Sequence, residues 1–149
     1  MIIIKHEHIE QIKRHGEKTY NEECCGAILG NSKDEVKVVH ELIEFHNEKN
    51  DNRQRRYLIT PGQYRQSEKL ADEKNLELLG FYHSHPDHPS LPSEFDKDHA
   101  LPWFLYMIVS VEKGKAKKLS AWTLKDDRTS FEEHELNVTQ TTENINRLR

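Results

Sequence analysis

Cysteine is scarce: the 149-residue chain has two, Cys24 and Cys25, side by side. Neighbouring residues on an extended strand point to opposite faces, so a bond between these two would be strained. No disulfide is expected, and a reducing cytoplasm is the natural setting; the Asn137-Val138-Thr139 sequon would then carry no sugar. Long apolar runs are missing as well. The start MIIIKHEHIEQ turns polar after four residues, and no stretch approaches the roughly 20 residues of a membrane span, so neither a leader nor a membrane partner is expected. A basic stripe is also absent: 22 Lys and Arg stand against 26 Asp and Glu, for a net charge of -4. Phosphate neutralisation favours clustered cations, so this balance argues against nucleic acid as a partner. The one basic patch, NDNRQRRY at 50–57, reads as a solvated loop.

What is present reads as one folded unit. Its apolar residues are bunched into runs, and its length suits a single core. We place that unit at residues 1–138 and read 139–149, TQTTENINRLR, as a loose tail with little to bury. MIII reads as a strand. Ile9, Ile12, Gly16 and Tyr20 recur at helical spacing through a charged segment and predict an amphipathic helix. CCGAILG and EVKVVHELIEFHN read as neighbouring strands across the turn NSKD, and RYLI as another strand. At TPGQY, Thr60 can cap a helix, Pro61 suits its first position and Gln63 completes a capping box. LELLGFYHSH follows as a central strand and SEFDKDHA as a short helix. WFLYMIVSV and KKLSAWTL form a hairpin across EKGKA. Interspersed strands and helices make the fold class α/β (α+β), a mixed β-sheet flanked by helices.

The chemistry concentrates in GFYHSHPDHPSLPSEFD, Gly80 to Asp96. His83 and His85 are two apart on a predicted strand, so both imidazoles project from one face, close enough to share an ion. Zinc takes two histidine nitrogens and a carboxylate oxygen, leaving a fourth position for water in a catalytic site. Asp96 is the candidate carboxylate. An HxH pair alone also fits two histidines with satisfied hydrogen bonds, and Ser93 with Asp96 fits an S-x-x-D capping box. A cap leaves His83 and His85 unexplained, whereas a metal explains them. HEHIE at His6–Glu10 and HELIE at His40–Glu44 end in glutamate and fail as HExxH zinc motifs; a deaminase site would need PCxxC, which the chain lacks.

HSHPDHPSLPSEFD resembles the signature of the JAMM (MPN-plus) metallopeptidases: H-[ST]-H-P, a loop, then S-x-x-D, with ten residues between the second histidine and the aspartate. EECCGAILG resembles the family's E-x-C-G pattern and selects Glu23. Its neighbour Glu22 would face the other way if that segment is extended. The resemblance continues through ITPGQY, LELLGFYHSHP, LYMIVSV and AWTL, and so covers nearly the whole chain. It implies an architecture similar to the cytidine deaminases. It also implies one catalytic Zn2+ on His83, His85, Asp96 and a water, with Glu23 as general base and Ser93 as oxyanion donor.

The chain has no room for the insertions of ubiquitin-specific eukaryotic members and resembles the compact prokaryotic type. The resemblance therefore implies a ubiquitin-like sulfur-carrier protein, or its C-terminal conjugate, as substrate and partner, with cleavage after its terminal glycine. The alternatives are a JAMM peptidase acting on another peptide or conjugate, a DNA-repair-associated member, and a non-catalytic MPN-type scaffold. The acidic balance disfavours the second, and the intact residue set the third. His88 is expected in solvent, Cys24 and Cys25 as buried small residues without a catalytic role, and Trp103 and Phe104 as packing beneath the site.

Overall fold

The apolar runs become the strands of one sheet. The computed structural model describes residues 1–47 and 59–140. In chain order the elements are β1 (Ile2–Lys5), α1 (His6–Thr19), β2 (Cys25–Lys33), β3 (Val36–Phe45), α2 (Pro61–Glu73) and β4 (Glu77–Pro86). They continue with α3 (Glu94–His99), β5 (Leu105–Glu112), β6 (Lys115–Leu124), β7 (Phe131–His134) and β8 (Leu136–Thr139). The sheet order is β7-β6-β5-β4-β2-β3-β1-β8. It is mixed: β4 runs parallel to β5, and β1 parallel to both β3 and β8, while the other neighbours are antiparallel.

Strand alternation sorts the side chains into two layers. On one face, Ile9 and Ile12 of α1 pack with Ile4, Ile28, Val39 and Met107. On the other, Phe81, Phe104 and Tyr106 pack with Cys25, Ala27 and Tyr64 of α2. The rings of Tyr64, Phe81 and Phe104 meet with centroids 5.2–5.5 Å apart. α2 starts as its sequence demands: Thr60 Oγ1 accepts from the Gln63 amide and Gln63 Oε1 accepts from the Thr60 amide, both at 3.1 Å. β4 lies centrally, between β2 and β5. Glycine is required where it passes β5, because a side chain on Gly80 would run into the backbone of Leu105.

Alternation also separates the cysteines, as expected. Cys24 joins the α1 layer and Cys25 the α2 layer, both are buried, and neither is in a disulfide. Burial pushes the Cys24 thiol up to about 12.

Three expectations change. Trp103 does not lie buried beneath the site: it is 68% exposed, its ring reaches Phe104 with centroids 6.0 Å apart, and β5 starts at Leu105. Phe104 is already locked among Phe81 and Tyr64, so the residue before it falls on the outside of the turn. Two short edge strands, β7 and β8, were not anticipated in a polar segment. The loose tail does not begin at Thr139, which is buried, closes β8 and pairs with Lys5 of β1. Residues 141–149, the patch at 50–57 and all but Ile59 of the strand expected at 56–59 lie outside the described residues.

Candidate metal centre

β4 points Phe81, His83 and His85 to the α2 side while Tyr82 and Ser84 point to α1. The opposite side is anchored firmly: Tyr82 is fully buried with its hydroxyl 2.7 Å from His15 Nδ1, and Ser84 Oγ accepts from the Cys24 amide at 2.8 Å. That fixes the strand whose other face carries the two histidines. Their Nε2 atoms lie 3.1 Å apart.

Asp96 arrives from α3. Ser93 Oγ accepts from the Asp96 amide at 3.1 Å, and Asp96 Oδ2 accepts from the Ser93 amide at 2.8 Å. This capping box aims the carboxylate at the histidines, with Oδ1 3.1 Å from His83 Nε2 and Oδ2 3.2 Å from His85 Nε2. All three residues are buried, and their ligand atoms lie within 4.8 Å of one another.

The chemistry of the donors fits zinc. His85 Nδ1 lies 2.8 Å from the Pro89 carbonyl, which can only accept, so Nδ1 carries the proton. In the neutral ring Nε2 then presents its lone pair to His83 and Asp96, the arrangement a metal-bound histidine needs. Burial lowers the His83 pKa, and Asp96 only partly offsets this, which favours a neutral imidazole at His83. Burial opposes ionisation of Asp96, but the two imidazoles facing it outweigh this and hold the carboxyl well below its ordinary value. Three electron-rich atoms crowded into one buried point are a good receptor for a dication, and two nitrogens with one carboxylate oxygen suit a catalytic zinc.

A cleft of about 380 Å³ opens beside these ligands, lined by Glu23, His85, His88, Leu91, Ser93, Glu94 and Phe95. Glu23 is 3% exposed and sits just before β2, whose first residue Cys25 pairs with His83. The Asn47 side-chain amide donates to the Glu23 carbonyl at 3.3 Å. Glu22 is half-buried and does not line the cleft. His88 is exposed, on the cleft wall rather than among the ligand atoms. Asn47, Leu91 and Phe95 were not singled out from the sequence. An asparagine at a strand end reads as a turn residue, and Leu91 and Phe95 gain meaning only once the loop is folded.

A mixed sheet with helices on both faces and a His, His, Asp cluster beside a buried glutamate define a protein of the JAB/MPN fold. A family model described as prokaryotic homologs of the JAB domain matches residues 5–125, and the chain belongs to that family. The desampylase of Pyrococcus furiosus is 28% identical over 110 residues, 70% of this chain and 68% of the relative. A solution structure from Desulfitobacterium hafniense matches with a TM-score of 0.84 at 24% identity, over 97% of each chain. A crystal structure of a JAB1/MPN domain protein from Archaeoglobus fulgidus matches with a TM-score of 0.58 at 21% identity, over 94% of this chain and all of the other. The JAMM-like, stand-alone prokaryotic type expected from the sequence is thereby borne out.

Proposed function

We propose that this JAMM-type hydrolase cleaves a peptide or isopeptide bond after the C-terminal glycine of a ubiquitin-like, sulfur-carrier-type protein, with one zinc ion on His83, His85 and Asp96. The observation that carries the reading is the convergence of those three buried ligand atoms within 4.8 Å at the edge of an open cleft. Similarity to the desampylase of Pyrococcus furiosus supports a ubiquitin-like substrate. When bound, zinc would act as a Lewis acid, lowering a water's pKa from about 15.7 toward about 7 and polarising the scissile carbonyl.

The remaining work belongs to the side chains. Glu23, on the cleft wall, takes the proton of the attacking water on its carboxylate and returns it to the leaving amine. Ser93 Oγ already accepts from the Asp96 amide, so its own hydrogen is left to donate to the developing oxyanion. Leu91 and Phe95 give the cleft an apolar wall along which an extended tail of small residues can lie. The buried thiols of Cys24 and Cys25 support a reducing, cytoplasmic setting. No helix among the described residues is long and apolar enough to cross a membrane.

The test is metal analysis followed by a chelator. Near-stoichiometric zinc in purified protein, lost together with peptidase activity on chelation and restored with it, is the expected result. Protein that holds no zinc, or that cleaves equally well after chelation, overturns the reading.

A further inference from the structure

His85 is oriented by a backbone carbonyl, so whatever holds that carbonyl still also orients the ring. The carbonyl belongs to Pro89, in the connection from β4 to α3. Asp87 ties the start of this connection down. Its Oδ2 accepts from the Tyr20 hydroxyl at 2.6 Å, and its Oδ1 accepts from the Lys113 amide at 2.7 Å. The residue after Pro89 is held from a different direction. Ser90 is buried, and its carbonyl accepts both from the Ser120 hydroxyl and, at 3.2 Å, from the Trp122 indole N–H. The same indole N–H donates to Ser120 Oγ at 2.8 Å. Both donors stand two apart on β6, hence on one face. Pairing through Ile108 of β5 sets Ser120 in the same cross-strand row as His83.

We propose that Ser120 and Trp122 are positioning residues for the metal centre. The relay from indole N–H to serine hydroxyl to Ser90 carbonyl fixes the peptide next to Pro89, and through the Pro89 carbonyl it sets the tautomer and tilt of His85. Hydrogen bonds in series polarise one another, so the two donors act together. Ser120 is 3% and Trp122 9% exposed, so bulk water does not readily replace either donor. Neither residue is among the three candidate ligands, and neither belongs to the motif that marks the site. The consequence for zinc rests on the function proposed above; the effect on the His85 ring does not.

The test compares Ser120→Ala, Trp122→Phe and the double variant with Ser120→Thr, which keeps the hydroxyl. Thr123→Val is the control on the same strand, where Thr123 Oγ1 bonds His134 Nε2 at 2.7 Å and plays no part in the relay. Two readouts are used: zinc affinity by chelator competition, and the imidazole nitrogen spectrum of His85 in metal-free protein. The double variant is expected to bind zinc about 10- to 100-fold more weakly, the range for loss of a partner that orients a ligand. Its His85 ring should lose the single Nδ1–H tautomer, Ser120→Thr should restore both, and Thr123→Val should change neither. A folded double variant with unchanged zinc affinity and an unchanged His85 tautomer overturns the proposal. Should the double variant fail to fold, Ser120→Ala against Ser120→Thr decides it by the same readouts. Should wild-type protein hold no zinc, the hydrolase reading fails, while the His85 tautomer still decides whether the relay orients the ring.

Discussion

Asp96 Oδ2 accepts the Ser93 amide at 2.8 Å while lying 3.2 Å from His85 Nε2, so a single carboxylate both caps α3 and faces the metal centre. The two roles can be separated by substitution. Asp96→Asn keeps an oxygen able to accept from the Ser93 amide but loses the charge. It is expected to melt within a few degrees of wild type while failing to retain zinc. Asp96→Ala removes both functions and adds the loss of a cap contact, a destabilisation of about 1 kcal/mol. Thermal melts of metal-free protein beside zinc analysis check this, and equal zinc retention by Asp96→Asn and wild type contradicts it.

Ser93 is predicted to split in a similar way. Ser93→Ala loses the N-cap, about 1 kcal/mol, and also an oxyanion donor, about 10²–10³ in turnover. Ser93→Asp preserves capping without a hydroxyl to donate, so stability should recover and turnover should not. Recovery of both would leave Ser93 as a cap alone.

Those caps were legible in the sequence because a capping box is written within four residues, and so was the HxH half-site, because strand alternation is local. Trp122, Ser120 and the Pro89 carbonyl were not. Their roles depend on β6 meeting the β4–α3 loop about 30 residues away in sequence, and the register between them appears only in the folded sheet. The edge strands β7 and β8 were missed because short, half-exposed strands carry mostly polar residues and little alternation.

The aromatic residues give a contrast between a buried ring and an exposed one. Phe81→Ala, which empties the ring cluster with Tyr64 and Phe104, is expected to cost about 3–5 kcal/mol in urea denaturation. Trp103→Ala, at a site 68% exposed, should stay within about 0.5 kcal/mol. A large loss from Trp103→Ala would restore the packing role first expected for it.

Stability should also depend on pH through His15. Burial lowers its pKa below the ordinary 6.5, with Glu44 opposing and Lys18 adding to the shift. The unfolded chain therefore takes up this proton first as pH falls. The His15 contribution is complete above about 6.5 and is lost as pH drops from there through the depressed folded value. Metal-free wild type should weaken more between pH 7.5 and pH 5 than His15→Gln, measured by urea denaturation at both. Parallel profiles would sink the assignment.

The most direct test of zinc-dependent hydrolysis with Glu23 as proton carrier is the intact mass of a sulfur-carrier protein bearing a C-terminal extension after incubation with zinc-loaded wild type or Glu23→Gln. Wild type is expected to yield a product ending at the carrier's terminal glycine, and a Glu23→Gln variant that still holds its zinc is expected to leave the substrate uncleaved. Cleavage by Glu23→Gln at the wild-type rate would contradict that role for Glu23.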